Sequence, residues 1–175
     1  MEVPVDLIKE LREMTSASIA QCKKALVESK GNIKKAAELL RKRGLEIALK
    51  SGSSGVPREG RIESYVHLGH KIGVLLEVNC DTDFVARNED FIQFSKDISM
   101  QIAACNPSFL KKEDVPAAKL KGEKNKEEFY KSQCLLEQPF VKDPSITVKD
   151  YLGSLVAKLS ENISIRRFVR YKIGE

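Results

Sequence analysis

The spacing of hydrophobic residues divides the chain into a helical first part and a mixed second part. Over residues 1–45, apolar side chains recur at steps of three and four, which is the period of amphipathic helices. The pattern breaks at residues 15–18 and at Gly31, so it predicts three helices, and Gly44 is predicted to end the third. The predicted buried positions are Val3, Leu7, Ile8, Leu11 and Met14 in the first helix, Ile19, Cys22, Ala25 and Leu26 in the second, and Ile33, Ala36, Ala37 and Leu40 in the third.

Short polar motifs mark the helix starts and the end of this first part. Ser18 and Gln21 have the spacing of a capping box, in which each side chain bonds the backbone of the other residue. Apolar residues over 45–50 leave a further helical extension open, and the serines and glycines of 51–55 have the composition of a flexible linker. The predicted organisation is a three-helix docking domain over 1–50, a linker over 51–60 and a core domain over 61–175.

The core domain begins with two runs whose apolar residues alternate by two, which predicts an antiparallel hairpin with its turn at residues 69–71. The predicted buried face consists of Ile62, Val66 and Leu68 in the first strand, and of Ile72, Val74, Leu76, Val78 and Cys80 in the second. Tyr65 and charged side chains are predicted on the opposite face of the first strand.

The junction after the second strand offers two helix starts. Asp81 or Thr82 can cap one turn, and Asn88 can cap the next, with acidic residues behind it that suit the positive end of a helix dipole. If Asn88 is the cap of the long helix, residues 81–87 form a corner of their own.

The two starts give opposite predictions for Phe84. In one continuous helix, Phe84 would share a face with Phe91 and Ile98 and would lie in the core, and periodicity alone favours this interpretation. In a separate corner, Phe84 would project from the surface instead.

The remaining sequence predicts several helices and a last strand. Buried positions Phe91, Phe94, Ile98 and Ile102 indicate a helix from about 88 to 104, and mixed charges over 108–137 indicate one or two exposed helices. Thr147 and Asp150 form a second capping-box pair, and residues 166–173 alternate as a strand. The predicted fold class is α+β, with a three-helix bundle followed by an antiparallel sheet packed on helices.

Composition excludes several classes of function. The net charge is +5, and basic residues are interleaved with acidic ones, so a dedicated nucleic-acid surface is not expected. No apolar run reaches the ~20 residues that a membrane span needs. Glu2 and Asp6 replace the basic start of a secretory signal, so we expect a cytoplasmic protein.

No residue constellation predicts catalysis, a cofactor or a metal site. The four cysteines, Cys22, Cys80, Cys105 and Cys134, form no C-x-x-C pair, so buried thiols are expected, and one disulfide between two copies of the chain stays open. His67 and His70 flank the hairpin turn without further ligands and are predicted to be surface residues. There is no phosphate-binding loop and no nucleophile–base arrangement, so we do not expect an enzyme.

Two strings resemble signatures of the bacterial-type elongation factor Ts family. Residues 79–87 read Asn-Cys-Asp-Thr-Asp-Phe-Val-Ala-Arg, and the bundle carries matching strings at 11–17 and 22–26, with glycines at Gly31 and Gly44. That family exchanges guanine nucleotide on elongation factor Tu. The resemblance therefore implies this activity, this partner, and a bundle similar to a ubiquitin-associated domain.

The resemblance also implies a partner-binding site at Thr82, Asp83, Phe84, Val85 and Ala86. Phe84 would enter an apolar pocket of the partner, backed by Val85 and Ala86, while Asp83 orients the tip. The Mg²⁺ of the partner would be dislodged, so that GDP leaves and GTP can bind. This implication reverses the interpretation of Phe84 as a core residue.

A second contact is implied at Arg12, Ile19 and Lys23 on the bundle. The residue pattern alone favours an ordinary solvated face there, because charged helix faces are mostly exposed. The chain departs from the usual family pattern at Ser16, Ser18, Ala20 and Gln21.

Longer family members have a two-lobed core, whereas this chain has the length for one lobe, with a tail that resembles the end of the second. We therefore expect a homodimer that rebuilds the pair. Two other classes stay open: a module for RNA or the ribosome that uses Arg166, Arg167 and Arg170, and a ubiquitin-type adaptor, which leaves residues 57–175 unexplained.

Overall fold

The computed structural model describes residues 3–50 and 59–175, so most of the predicted linker lies outside the described residues. The helices are α1 (Val5–Thr15), α2 (Ile19–Glu28), α3 (Ile33–Lys50), α4 (Asp83–Ala86), α5 (Glu89–Cys105), α6 (Ala117–Leu120), α7 (Lys126–Gln133) and α8 (Val148–Leu159). The strands are β1 (Glu59–Val66), β2 (Ile72–Cys80), β3 (Pro139–Phe140), β4 (Asp143–Thr147) and β5 (Ser164–Lys172). The predicted α+β class, with three helices before an antiparallel sheet, is confirmed.

The first three helices enclose a small core of their own. Its buried members are Val3, Leu11, Ala17, Cys22, Ala25, Leu26, Ala36 and Leu40. The predicted capping box at the start of α2 is confirmed, since Ser18 and Gln21 exchange hydrogen bonds of 3.3 Å in both directions. Met14 and Ile19 were predicted to be buried and are exposed, because both lie at helix ends beside the turn between α1 and α2.

Gly44 does not end α3, which continues to Lys50. The reason is tertiary, because α3 packs along α8 at this point. A Cβ on Gly44 would overlap the carbonyl oxygen of Gly153, and one on Gly153 would lie 2.7 Å from that of Arg41. Two glycines therefore let the helix backbones touch, and this contact outweighs the low helix propensity of glycine.

The main sheet has the order β1-β2-β5, and all its pairs are antiparallel. The predicted hairpin of β1 and β2 and the final strand are both confirmed. Helix α5 lies against the inner face of the sheet, where Phe91, Phe94, Ile98 and Ile102 are all fully buried. Helix α8 packs against α5, so the layers run from the sheet through α5 and α8 to α3.

The face of β1 that points inward is the reverse of the predicted one. The apolar side chains at the three predicted core positions are exposed: Ile62, Val66 and Leu68. The register pairs Glu63 with Leu76 and Tyr65 with Val74, and paired residues in antiparallel strands point to the same side. Glu63 is therefore only 9% exposed, and its carboxylate forms an ion pair with Arg61 at 2.6 Å. The outer face of the sheet carries the apolar side chains instead.

The remaining predictions of secondary structure and burial are mostly confirmed. Residues 108–137 contain α6, α7 and two short 3-10 turns, and the Thr147–Asp150 capping box begins α8. Both histidines are exposed, as predicted. Cys22, Cys80 and Cys134 are buried as expected, whereas Cys105 is exposed. Within residues 3–50 and 59–175, no helix is long and apolar enough to cross a bilayer.

Candidate partner-binding site

The turn between β2 and α5 is a separate corner, built by two successive caps. The Thr82 hydroxyl accepts a hydrogen bond from the Val85 N–H at 3.4 Å and begins the single turn of α4. The Asn88 side chain accepts from the Asp90 N–H at 2.9 Å and begins α5. The interpretation as one continuous helix is therefore wrong, because Arg87 and Asn88 separate α4 from α5.

This corner presents Phe84 to solvent. The Phe84 side chain is 84% exposed, whereas its neighbour Val85 is buried in the main core and Ala86 packs against that core. The interruption of the helix removes Phe84 from the face that Phe91 occupies, so the prediction from periodicity alone was wrong. A solvent-facing aromatic ring on a backbone that its neighbours hold to the core is the kind of side chain that anchors protein interfaces.

Asp83 also lies at the tip of the corner. Its carboxylate is about half exposed and forms an ion pair with Arg87 at 3.0 Å, one helical turn away. An exposed pair of this kind contributes little to stability, at most about 1 kcal/mol. Asp83 is therefore available for a polar contact with a partner.

The base of the corner is held through Thr82. The carboxylate of Glu161 accepts hydrogen bonds from the Thr82 hydroxyl at 2.5 Å and from the Thr82 N–H at 3.2 Å. The Cys80 thiol donates to the Thr82 carbonyl oxygen at 3.1 Å. Burial, and then the nearby Glu161 carboxylate, raises the pKa of the Cys80 thiol to about 11, so the thiol keeps the proton that it donates.

Sequence reasoning missed Glu161 because it lies 79 residues after Thr82. No local motif signals such a contact, and only the fold brings the two residues together. The five residues of the predicted site, Thr82, Asp83, Phe84, Val85 and Ala86, lie together on and before α4.

The predicted docking residues lie elsewhere, on the bundle. Arg12 is exposed on α1, and Ile19 and Lys23 are exposed on α2, one helical turn apart and therefore on the same face. Ile19 is 58% exposed, which fits an anchor better than the core position that its spacing predicted. These residues surround the small bundle core, whereas the corner belongs to the main core.

The outer face of the sheet is a second apolar surface. Its exposed residues are Ile62, Val66, Leu75, Val169 and Tyr171, and Leu75 lies opposite Val169 in the register. Glu77 and Arg167 form an ion pair of 2.6 Å at the same level of the sheet. In the described part of the chain, nothing covers this face.

No group of three or more metal-ligating side chains occurs in the described ranges. A cleft of about 670 Å³ lies between the end of α1, α3, α5 and α8, and two of the cations on its wall are ion-paired, Lys158 at 2.7 Å from Asp90 and Arg41 at 3.4 Å from Asp150.

Comparison with known proteins identifies the family. A family model described as elongation factor TS matches residues 2–128 and 125–175, which together span nearly the whole chain. Elongation factor Ts of Alkaliphilus oremlandii is 46% identical over the full chain and 91% of the relative. Those of Caldanaerobacter subterraneus subsp. tengcongensis and Thermodesulfovibrio yellowstonii are 46% and 45% identical, and each is covered over 98% of its length. The chain is therefore a member of the elongation factor Ts family.

Proposed function

We propose that this protein is the guanine nucleotide exchange factor for elongation factor Tu in translation elongation, acting in the cytoplasm. It binds the GDP form of the partner, inserts the corner at residues 82–86 into the nucleotide-binding domain, and weakens the hold on Mg²⁺ and GDP. The observation that carries this proposal is the exposed Phe84 on a corner that Val85 and Thr82 fix to the main core.

Each residue of the corner has a role that follows from its position. Phe84 is the apolar wedge, and Val85 and Ala86 hold its backbone against the core. Asp83 orients the tip through polar contacts, and Thr82 caps the turn. The chain needs no reacting group of its own, because it acts by binding the nucleotide-poor form of the partner more tightly.

The energy required indicates a second contact. A ~10⁴-fold loss of nucleotide affinity corresponds to about 5.5 kcal/mol of coupling. One buried aromatic anchor supplies roughly 2–4 kcal/mol. We therefore propose that Arg12, Ile19 and Lys23 on the bundle bind the same partner and supply part of the coupling free energy that Phe84 does not provide.

The experiment that tests this function is release of a fluorescent GDP from purified elongation factor Tu. The intact protein is expected to accelerate release in a concentration-dependent and saturable way, and excess unlabelled GDP alone is the reference. If the intact protein does not accelerate release, the proposed function is wrong, and salt-dependent binding to RNA becomes the next assay.

The RNA-binding alternative has weaker structural support. Arg167 is paired with Glu77 at 2.6 Å, and Arg170 is bonded to Glu175 at 3.0 Å and to the Ala103 carbonyl oxygen at 3.3 Å. Two of its three arginines are therefore already engaged within the chain, which leaves fewer free cations for phosphates.

Ile19→Asp is expected to raise the concentration that gives half-maximal exchange by on the order of tenfold, because it places a charge in an apolar contact. The maximal rate should change little, since Phe84 is intact. Ile19 is exposed and begins α2, where an acidic residue suits the helix dipole, so the fold should be retained. Titration of the exchange rate measures both quantities.

Val5→Asp is the matched control, because Val5 is also an exposed apolar residue at the first position of a helix. Equal effects of the two substitutions, or no effect of either, would remove Ile19 from the docking face.

We also propose that the protein is a homodimer joined through the outer face of the sheet. The face is apolar, and an ion pair such as Glu77–Arg167 can be exchanged between two copies related by a two-fold axis. Pairing of the sheets of two copies would give a dimer with a two-lobed core, to which each chain contributes one lobe.

Leu75→Glu is expected to convert the dimer to a monomer, because it places a charge at the centre of the apolar face, on the middle strand. Light scattering coupled to size exclusion measures the mass. Val141→Glu is the control, since Val141 is an exposed apolar residue away from this face. A monomeric intact protein, or a Leu75→Glu variant that stays dimeric, would reject this interface.

A further inference from the structure

We propose that Glu161 is the positioning residue of the exchange corner: its carboxylate holds Thr82 and thereby sets the place and orientation of Phe84. This inference rests on the proposed exchange function and adds a residue to it. Glu161 lies outside the string that defines the corner, in the loop between α8 and β5.

The hydrogen bonds of Thr82 show why a carboxylate is needed. Its hydroxyl donates to one oxygen of Glu161 at 2.5 Å, and its N–H donates to the other at 3.2 Å. Donation to Glu161 turns the hydroxyl so that a lone pair accepts the Val85 N–H at 3.4 Å. Glu161 therefore fixes the cap of α4 as well as the backbone before it.

Helix α4 depends on such support because it has only four residues. A single helical turn is not stable by itself, because fixing the backbone of the first turn costs more free energy than its hydrogen bonds contribute. Val85 fixes the far side of this turn to the core, and Thr82 fixes the near side through Glu161. Phe84 lies between these two points, so release of one of them frees the ring to move.

The position of Glu161 carries an electrostatic cost. It follows the C-terminal end of α8, where the helix dipole disfavours a negative charge. The loop is itself fixed, by the left-handed Ser160 (φ 55°) on one side and the fully buried Ile163 on the other. The carboxylate is therefore presented rigidly to Thr82 at an electrostatic cost to α8.

Glu161 also links the corner to the bundle. Helix α8 carries Glu161 at one end and packs along α3 through Gly44 and Gly153. The two contacts proposed for the partner, Phe84 and the bundle face, are thus connected through one helix. Their separation is fixed before the partner binds, which reduces the entropy lost on binding.

The test compares Glu161→Gln with Glu89→Gln in the GDP-release assay. Glutamine keeps the shape of Glu161, but it replaces one acceptor oxygen by a donor, so only one of the two Thr82 donors keeps its acceptor. Glu89 is an exposed acid near the corner, and its side chain has no hydrogen bond or ion pair within the described ranges. Both substitutions remove one negative charge from the same region.

We expect Glu161→Gln to lower the maximal exchange rate by on the order of tenfold, the factor typical of a lost hydrogen bond to a charged group. Glu89→Gln should match the intact protein. In the Phe84→Ala background, Glu161→Gln should have no further effect on exchange, because the ring that it positions is gone. A merely structural defect would lower the rate again in that background.

Amide hydrogen exchange, measured by NMR, gives a readout that does not depend on the partner. The Thr82 N–H should lose protection in Glu161→Gln and keep it in Glu89→Gln. If the intact protein is active and the two variants release GDP from the partner at equal rates, the positioning role is wrong. If the intact protein is inactive, the proposed function fails and this role fails with it, even where the Thr82 N–H is protected.

Discussion

Phe84→Ala is expected to lower the maximal rate of GDP release by roughly 30- to 1,000-fold, because a buried aromatic anchor at an interface is typically worth about 2–4 kcal/mol. The substitution should slow nucleotide exchange without lowering the stability of the fold. Phe84 is 84% exposed, so its removal changes few contacts within the chain, and the stability should stay within about 0.5 kcal/mol. Stopped-flow release of fluorescent GDP and a thermal unfolding curve measure the two effects.

Val141→Ala is the matched control for this prediction, since it also truncates an exposed apolar side chain. It should accelerate release as the intact protein does. Phe84→Leu should fall between the intact protein and Phe84→Ala, because it keeps part of the apolar surface. An alanine variant that exchanges as fast as the intact protein would show that Phe84 is not the wedge.

Gly44→Ala is expected to destabilise the protein and to weaken its binding to the partner. In an exposed helix this substitution would stabilise by up to about 1 kcal/mol. Here the added Cβ overlaps the Gly153 carbonyl oxygen, and overpacking of this kind costs roughly 1–3 kcal/mol. Helix α3 must then move away from α8, which displaces the bundle from its position relative to the corner.

Circular dichroism and titration of exchange measure these effects. The melting temperature should fall by roughly 3–10 °C, as expected for such a loss in a chain of this size. Glu46→Ala, at an exposed position of the same helix, should leave the melting temperature nearly unchanged. A Gly44→Ala variant that melts at or above the temperature of the intact protein would contradict the close crossing of α3 and α8.

Local signals in the sequence predicted many elements of the fold. The capping boxes at Ser18 and Thr147 bond within three residues, so their pattern is visible without a fold. The hairpin and α5 were predictable because alternation by two and the helical period extend over nine and 17 residues. In these segments, local propensity and tertiary packing favour the same structure.

Non-local contacts explain the predictions that were wrong. The apolar residues of β1 do share one face, as the alternation predicted. Which face is buried is decided by α5, and this helix covers the face with Glu63 and Tyr65. Helix α5 begins 23 residues after β1 ends, so the local pattern of β1 could not show this. Glycine is common at helix ends, but the role of Gly44 is set by its contact with Gly153 on another helix. Periodicity also placed Phe84 in the core, because it could not show which of two caps begins the long helix.

The packing of α3 on α8 changes how the bundle should be tested. The predicted division at residue 50 separates the bundle from the core domain along the chain. In the structure, α3 covers part of α8, so deletion of residues 1–50 would expose that surface as well as remove the docking face. Point substitutions such as Ile19→Asp are therefore the cleaner probe of the bundle.

This protein and GDP are expected to oppose each other on elongation factor Tu, and a pair of affinity measurements tests this opposition most directly. The affinity of the intact protein for the partner is measured by calorimetry or interferometry, once without nucleotide and once with saturating Mg²⁺ and GDP. By thermodynamic linkage, the ratio equals the factor by which the protein weakens nucleotide binding. We predict a ratio on the order of 10⁴ in favour of the nucleotide-free partner. Equal affinities would contradict an exchange function, because a ligand that binds both states of the partner equally does not shift the equilibrium between them.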